Sequence, residues 1–236
     1  MGAYGGWTFE VQETAMVINV KMKLKLAILD TTDDKKIDLT ALGNAVERQL
    51  RKTYQISYVT NAMGRDNTAR LKSSLDGYPG RTISLPVKKT VQIIFNMKYR
   101  TITKERHKMN NEHLLMISPN SGRMKKLYGY ANKIGGNTIN LNVMYVPDMV
   151  SGADSNTLPH EFGHTLTLLH VNDVHTVDTD PNQYFSLYQQ YFSKDTTNIM
   201  FKGGSRKMNN ITSTSIIGFQ MDIILKSYKN GRLNLD

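Results

Sequence analysis

The chain of 236 residues contains no cysteine. Disulfide bonds, thiolate zinc sites and cysteine nucleophiles are therefore excluded, although this absence does not identify the cellular compartment. The sequence also has no apolar run near the ~20 residues of a membrane-spanning helix, so no transmembrane segment is predicted. A chain of this length can bury a sizeable core without covalent cross-links.

Acidic residues are scarce relative to basic ones. There are 20 Asp and Glu against 30 Lys and Arg, for a formal net charge of +10. Basic residues are concentrated in two stretches, residues 98–108 and 123–126. Such charge can attract nucleic acid, an acidic substrate or a membrane surface. Because no nucleic-acid-binding motif accompanies it, we favour a solvated hairpin face and expect no nucleic-acid partner.

Apolar periodicity predicts an α+β fold with a mostly β N-terminal part. A stripe of apolar residues from Leu39 to Tyr54 indicates one early helix. Residues 61–81, rich in Gly, Asn, Asp and Ser, are predicted to be a loop, and a final helix is predicted at about residues 212–228. Alternating or continuous apolar segments predict strands at 16–29, 55–60, 91–99, 114–117 and 139–145, with a short edge strand within 127–137.

The segment HEFGHTLTLLH, residues 160–170, has the pattern of a metal site. On a helix, His160 and His164 lie on one face, one turn apart, so both imidazoles can bind one ion, with Glu161 beside it as a general base. A catalytic zinc needs a third protein ligand. His170 is the nearest candidate, but on an unbroken helix it would be rotated by about 240° from His164. The helix must therefore end between them, at a turn where glycine is usual and this chain has Thr167.

Other interpretations of these residues stay open. A lone HExxH also occurs in ordinary helices that bind no metal. We interpret His107 and His113 as surface or strand residues. The acidic loop at 171–183 lacks the regular carboxylate spacing of a calcium loop, so calcium is not expected. Competing candidates for the third ligand lie along this polar loop, where solvent exposure is the simpler expectation: Asp173, His175 and Asp178.

HEFGHTLTLLH resembles the signature HExxHxxGxxH of the metzincin family of zinc metallopeptidases, with Thr167 at the glycine position. The family has a later Met-turn, and residues 198–200, NIM, are similar to it. The order of the predicted elements also resembles that family over most of the chain. The resemblance implies a zincin fold with a twisted mixed sheet, a backing helix and an active-site helix. It implies one catalytic domain, residues 1–236, with an upper lobe of about 1–166 and a smaller lower lobe of about 167–236.

The same resemblance implies a zinc-dependent endopeptidase with one catalytic zinc ion. His160, His164 and His170 would be the zinc ligands, Glu161 the general base and acid for a zinc-activated water, and Met200 a structural floor. Protein or peptide substrates would bind extended along an edge strand at roughly residues 127–132. Some subfamilies have an additional tyrosine ligand two residues after the Met-turn methionine, where this sequence has Lys202. The subfamily is therefore not assigned.

Two hypotheses about the protein's role accompany this one. A zinc-containing binding module without peptidase activity is favoured by Thr167 and by the absence of the tyrosine ligand, but Glu161 argues against it. A secreted or toxin-type bacterial protease is compatible with the small size and the basic charge. Residues 1–14 lack the charged-then-apolar pattern of a secretory signal, so export would require a removed signal or delivery within a larger protein. The sequence predicts neither specific substrate-binding residues nor an oligomeric state.

Overall fold

The computed structural model describes residues 5–32, 37–60, 68–71, 83–86, 88–171, 196–201 and 213–235. Within these ranges the fold is mixed α+β. The helices are α1 (Leu39–Tyr54), α2 (Val146–Ser151), α3 (Thr157–Thr165) and α4 (Gly218–Lys229). The strands are β1 (Trp7–Glu13), β2 (Val17–Asp30), β3 (Ser57–Thr60), β4 (Thr68–Leu71), β5 (Ile83–Pro86), β6 (Lys89–Ile102), β7 (His113–Ser118), β8 (Gly129–Ala131) and β9 (Thr138–Asn142).

The long strand β2 is the centre of a seven-stranded mixed sheet. The strand order is β3-β6-β2-β7-β9-β8, with β1 paired to β2 outside this path. β2 pairs in parallel with β6 and β7, and β7 in parallel with β9. β1, β3 and β8 are antiparallel to their neighbours. β8 therefore lies at one end of the sheet, and α3 packs beside it.

The helix α1 covers one part of the sheet with the apolar stripe that the sequence predicts. Leu42, Val46, Leu50 and Tyr54 are all fully buried. The helix begins after Asp38, whose side chain accepts hydrogen bonds from the first free backbone amides. In the described part of the chain, no helix is both long enough and apolar enough to cross a membrane.

Several sequence predictions need correction. Residues 68–71, predicted to be loop, form β4 and pair with β5, because backbone pairing in a two-stranded sheet does not require an apolar stripe. β1 and α2 were not predicted. The last strand ends at Asn142, whose side chain accepts from the amide of Met144 and begins a 3-10 turn. The final helix begins at Gly218 instead of near residue 212, because the Gln220 side chain accepts from the Ile217 amide and caps it there.

Two aromatic rings connect β1 and β7 to α3. Trp7 is fully buried, its Nε1 donates to Thr165 Oγ1 at 2.9 Å, and its ring meets Phe162 edge to face. His113 is a strand residue, as expected, and is fully buried in the core beside Trp7. Its Nδ1 accepts from the Gly6 amide. Burial, helped by the charge of Lys108, lowers the pKa of His113 to about 3, so this ring is a neutral packing element.

Candidate active site

The helix α3 is fixed at its start by buried polar contacts. Asp154 Oδ1 accepts from the amides of Asn156 at 2.9 Å and Thr157 at 3.0 Å, which satisfies donors at the helix N-terminus. The helix α1 holds the same region from the side. Gln49 donates to the carbonyl of Asp154, and the buried Tyr54 hydroxyl donates to the carbonyl of Pro159 at 2.7 Å. These contacts position the first turn of α3.

The first two histidines of the motif are buried on α3, and each ring is oriented by a carbonyl. His160 Nδ1 donates to the carbonyl of Ile199 at 2.7 Å, and His164 Nδ1 donates to that of Leu168 at 2.9 Å. Because a carbonyl can only accept, Nδ1 carries the proton and the neutral ring has its lone pair at Nε2. Burial, with a smaller contribution from His170, lowers the pKa of His160 to about 4, which favours this neutral form.

The chain turns sharply after α3. The helix ends at Thr165, and Thr167 has a φ of +72°. The Leu168 amide donates to the Gly163 carbonyl and the Gly135 amide donates to the His164 carbonyl, so these two carbonyls near the end of the helix have partners. Thr167 Oγ1 donates to Ser227 Oγ on α4 at 2.8 Å. A threonine at positive φ costs on the order of 1–3 kcal/mol, and this hydrogen bond opposes that cost.

The turn brings the third histidine to the first two. His170 Nε2 lies 3.2 Å from His160 Nε2 and 3.1 Å from His164 Nε2. One ligand atom from each residue lies within 4.8 Å of the others, so the cluster could hold a metal ion. Nitrogens bound tetrahedrally at the zinc–nitrogen distance of ~2.0–2.1 Å are about 3.3 Å apart. Since the lone pairs of His160 and His164 both face His170, a shared cation such as zinc fits this donor set.

Glu161 lies at the same cluster and reaches the edge strand. Its carboxylate is buried, and Oε2 accepts from the Ala131 amide of β8 at 2.7 Å. Burial raises the pKa of Glu161, whereas its electrostatic interactions with His164 and Arg123 and the hydrogen bond from the Ala131 amide oppose that rise. The carboxylate is thus held in one orientation by a backbone donor that the sequence pattern did not indicate.

Met200 packs under the active-site helix. It is fully buried, and a Cβ placed on Gly163 would lie only 2.5 Å from Met200 Sδ. The Val171 amide donates to the Met200 carbonyl at 3.0 Å, which connects this turn to the segment carrying His170. The glycine inside HEFGH therefore leaves the space that Met200 occupies.

A pair of side-chain amides connects residues 198–200, the turn that contains Met200, to α4. Asn198 and Gln220 exchange two hydrogen bonds, of 3.1 and 3.0 Å, and Asn198 Oδ1 also accepts from the Met200 amide. Ile199 lies between Asn198 and Met200 in the chain, and its carbonyl accepts the hydrogen bond from His160 Nδ1. Sequence reasoning did not find this pair, although a glutamine within the apolar inner face of the last helix is a signal for a buried polar contact.

The structure brings together His160, His164 and His170, with Glu161 beside them and Met200 beneath Gly163. From the second basic stretch, Arg123 is near enough for its charge to lower the pKa of Glu161. The competing ligands and the residue at the tyrosine position lie outside the described residues: Asp173, His175, Asp178 and Lys202. The acidic loop, in which calcium is not expected, also lies outside the described residues from residue 172 onwards.

No family model and no curated protein matches this sequence. Among solved structures, the crystal structure of archaemetzincin from Methanopyrus kandleri is similar to this chain. The similarity covers 87% of this chain and 95% of that one, at 12% sequence identity and a TM-score of 0.46.

Proposed function

We propose that this chain is a zinc-dependent endopeptidase with a metzincin-like catalytic domain. The observation that carries the proposal is the convergence of three imidazole Nε2 atoms beside the buried carboxylate of Glu161. His160, His164 and His170 would bind the ion, and three protein ligands are the number found in catalytic zinc sites. The carbonyls on the Nδ1 atoms of His160 and His164 orient those rings, as expected for metal ligands.

Glu161 supplies the acid–base chemistry in this proposal. When bound, zinc polarises the substrate carbonyl and makes water more acidic. Glu161 Oε1 takes a proton from the water as its oxygen bonds to the carbonyl carbon. It then gives that proton to the amine nitrogen as the carbon–nitrogen bond breaks. The Ala131 amide holds Oε2 throughout, so that the carboxylate keeps its orientation.

The edge strand β8 is suited to hold the substrate backbone. Among the described residues it pairs with β9 on one side only, and its other side donates the Ala131 amide to the Glu161 carboxylate. An extended peptide pairing along β8 would therefore pass Glu161. This interpretation places the protein or peptide substrate along residues 127–132, as the resemblance implies.

Glu161→Gln is the decisive variant. Glutamine retains an oxygen acceptor for the Ala131 amide but cannot take the proton, so we expect casein hydrolysis to fall by at least roughly 10²–10⁴-fold. Zinc content, measured by atomic emission, should stay at the wild-type level. Glu105→Gln, at an exposed position, is the matched control and should retain activity. Retained hydrolysis in Glu161→Gln would refute the proposed role.

The same assay tests the rival hypothesis of a binding module without peptidase activity. That module would bind zinc and show no chelator-sensitive hydrolysis in the wild type. The division into lobes near residue 167 and the secreted or toxin-type role stay part of the proposal. Growth inhibition on expression that is relieved by Glu161→Gln would support a toxin role, whereas inhibition by both forms would argue against it.

A further inference from the structure

The two faces of β8 differ in what they contact. A Cβ placed on Gly129 would lie 3.4 Å from Thr157 Cγ2 of α3, so the Gly129 face is turned towards the active-site helix. Residues alternate along a strand, and Tyr130 therefore points to the opposite, outer face. Tyr130 pairs with the polar Asn140, whereas Ile139 and Leu141 on either side belong to the hydrophobic core with α3, which agrees with this assignment.

Arg123 covers this outer face beside the edge. Its guanidinium carbon lies 4.2 Å from the centre of the Tyr130 ring, a cation–π contact that restrains an otherwise exposed side chain. The neighbouring Ala131 is the residue whose amide holds Glu161. The guanidinium is thus next to the part of β8 that faces the catalytic carboxylate, with its planar donors suited to a carboxylate partner.

The sequence around Arg123 is positively charged and contains no acidic residue. Residues 113–147 contain no Asp or Glu. Arg123 lies in a 3-10 segment, Gly122–Lys126, that immediately precedes β8. Further exposed lysines lie on either side of the strand: Lys125, Lys126 and Lys133.

We propose that Arg123 is a specificity-determining residue that selects peptides with an acidic side chain in the segment pairing with β8. The inference rests on the proposed function, and it names the substrate class of that site. A peptide strand added to β8 directs alternate side chains to the outer face. There, Asp or Glu meets the Arg123 guanidinium, whereas Lys or Arg meets like charge.

Binding and cleavage are measured separately. Two pools of short fluorescein-labelled peptides, composed of mixed uncharged residues, differ only in having Glu or Gln at one position. Fluorescence anisotropy with zinc-loaded Glu161→Gln protein gives the ratio of affinities, and wild-type protein gives the ratio of kcat/KM. Arg123→Ala and Arg123→Glu are compared with Arg106→Glu. Arg106 is exposed and follows β6, which three strands separate from β8.

We expect the Glu pool to bind more tightly than the Gln pool, by about threefold or more at low ionic strength and less at high salt. Arg123→Ala should remove most of this preference, Arg123→Glu should reverse it, and Arg106→Glu should leave it unchanged. Equal binding of both pools, or a preference that survives Arg123→Glu, overturns the inference. A preference in binding that depends on Arg123, without cleavage by the wild type, supports the inference on selectivity while rejecting the peptidase function.

Discussion

The helix-borne histidines and the turn-borne histidine reach the same point by different means. His160 and His164 are buried on α3 and oriented by carbonyls of Ile199 and Leu168. His170 is only partly buried and follows a turn in which Thr167 adopts a positive φ. Helical spacing places the first pair on one face of α3, whereas the third reaches them only through a turn that contacts from distant parts of the chain hold.

Those distant contacts come from the middle and from the C-terminal part of the sequence. Gly135, between β8 and β9, donates to the His164 carbonyl, and its own carbonyl accepts from the Leu235 amide. Ser227 on α4 accepts from Thr167. The position of His170 therefore depends on how the C-terminal segment packs, while His160 and His164 share a face because both lie on α3.

The largest expected effect distinguishes the two kinds of histidine. We expect His160→Ala and His170→Ala each to lower zinc affinity by more than the roughly 10–100-fold typical of changes around a ligand. Only His160→Ala should also destabilise the metal-free protein, by about 2 kcal/mol, because it empties a buried site and leaves the Ile199 carbonyl without its donor. Zinc competition titration and urea unfolding in chelator measure the two quantities.

His107→Ala is the control for this pair, since His107 lies exposed in a 3-10 turn far along the chain from the motif. It should change neither zinc affinity nor stability. Wild-type zinc affinity in His170→Ala would mean that the third ligand lies elsewhere.

The next effect concerns the amide pair that connects the Met200 turn to α4. Gln220→Met removes both hydrogen bonds to Asn198 and leaves that buried amide without them, at a cost of about 1–3 kcal/mol in unfolding free energy. The Ile199 carbonyl beside it orients His160, so zinc affinity should also fall, by about tenfold. Gln12→Met, at an exposed position of β1, is the control. A loss of stability with unchanged zinc affinity would show that the pair does not position His160.

The effect of Gly163→Ala on the free energy of unfolding should depend on whether Met200 is present. Alanine favours helix by about 1 kcal/mol over glycine, but the contact with Met200 Sδ should outweigh this and make Gly163→Ala destabilising by about 1–2 kcal/mol. In a Met200→Ala background the closest contact is gone and the Tyr54 hydroxyl lies 3.2 Å from the Cβ position, so Gly163→Ala should become neutral or slightly stabilising. Thermal unfolding of the four proteins completes a double-mutant cycle. Additive effects would mean that Met200 does not pack against this face of the helix.

The local sequence pattern was sufficient to predict much of the fold and part of the site. The remaining features depend on contacts between residues that are far apart in the sequence. Apolar periodicity predicts α1 and β6 because each buries mainly one face, and a continuous apolar run predicts β7, which is buried on both faces. The histidine spacing predicts that His160 and His164 share a face. Nothing local indicates that the Ala131 amide meets Glu161, since a backbone donor at a sheet edge has no sequence signature. The strand β1 was missed although Trp7, Phe9 and Val11 alternate with polar residues, which is itself a local strand signal.

The smallest expected effect tests how Thr167 is tolerated at its positive φ. Thr167→Ala keeps the strain and loses the hydrogen bond to Ser227, so we expect a loss of about 1 kcal/mol in unfolding free energy. Thr167→Gly loses the same bond but removes the strain, so its stability should stay within about 0.5 kcal/mol of the wild type. Ser227→Ala should cost about 1 kcal/mol in the wild type and almost nothing in Thr167→Gly, as measured by urea unfolding. If Thr167→Gly is instead more stable by well over 1 kcal/mol, the Ser227 bond does not offset the strain, and ligation of the metal by His170 must stabilise the turn.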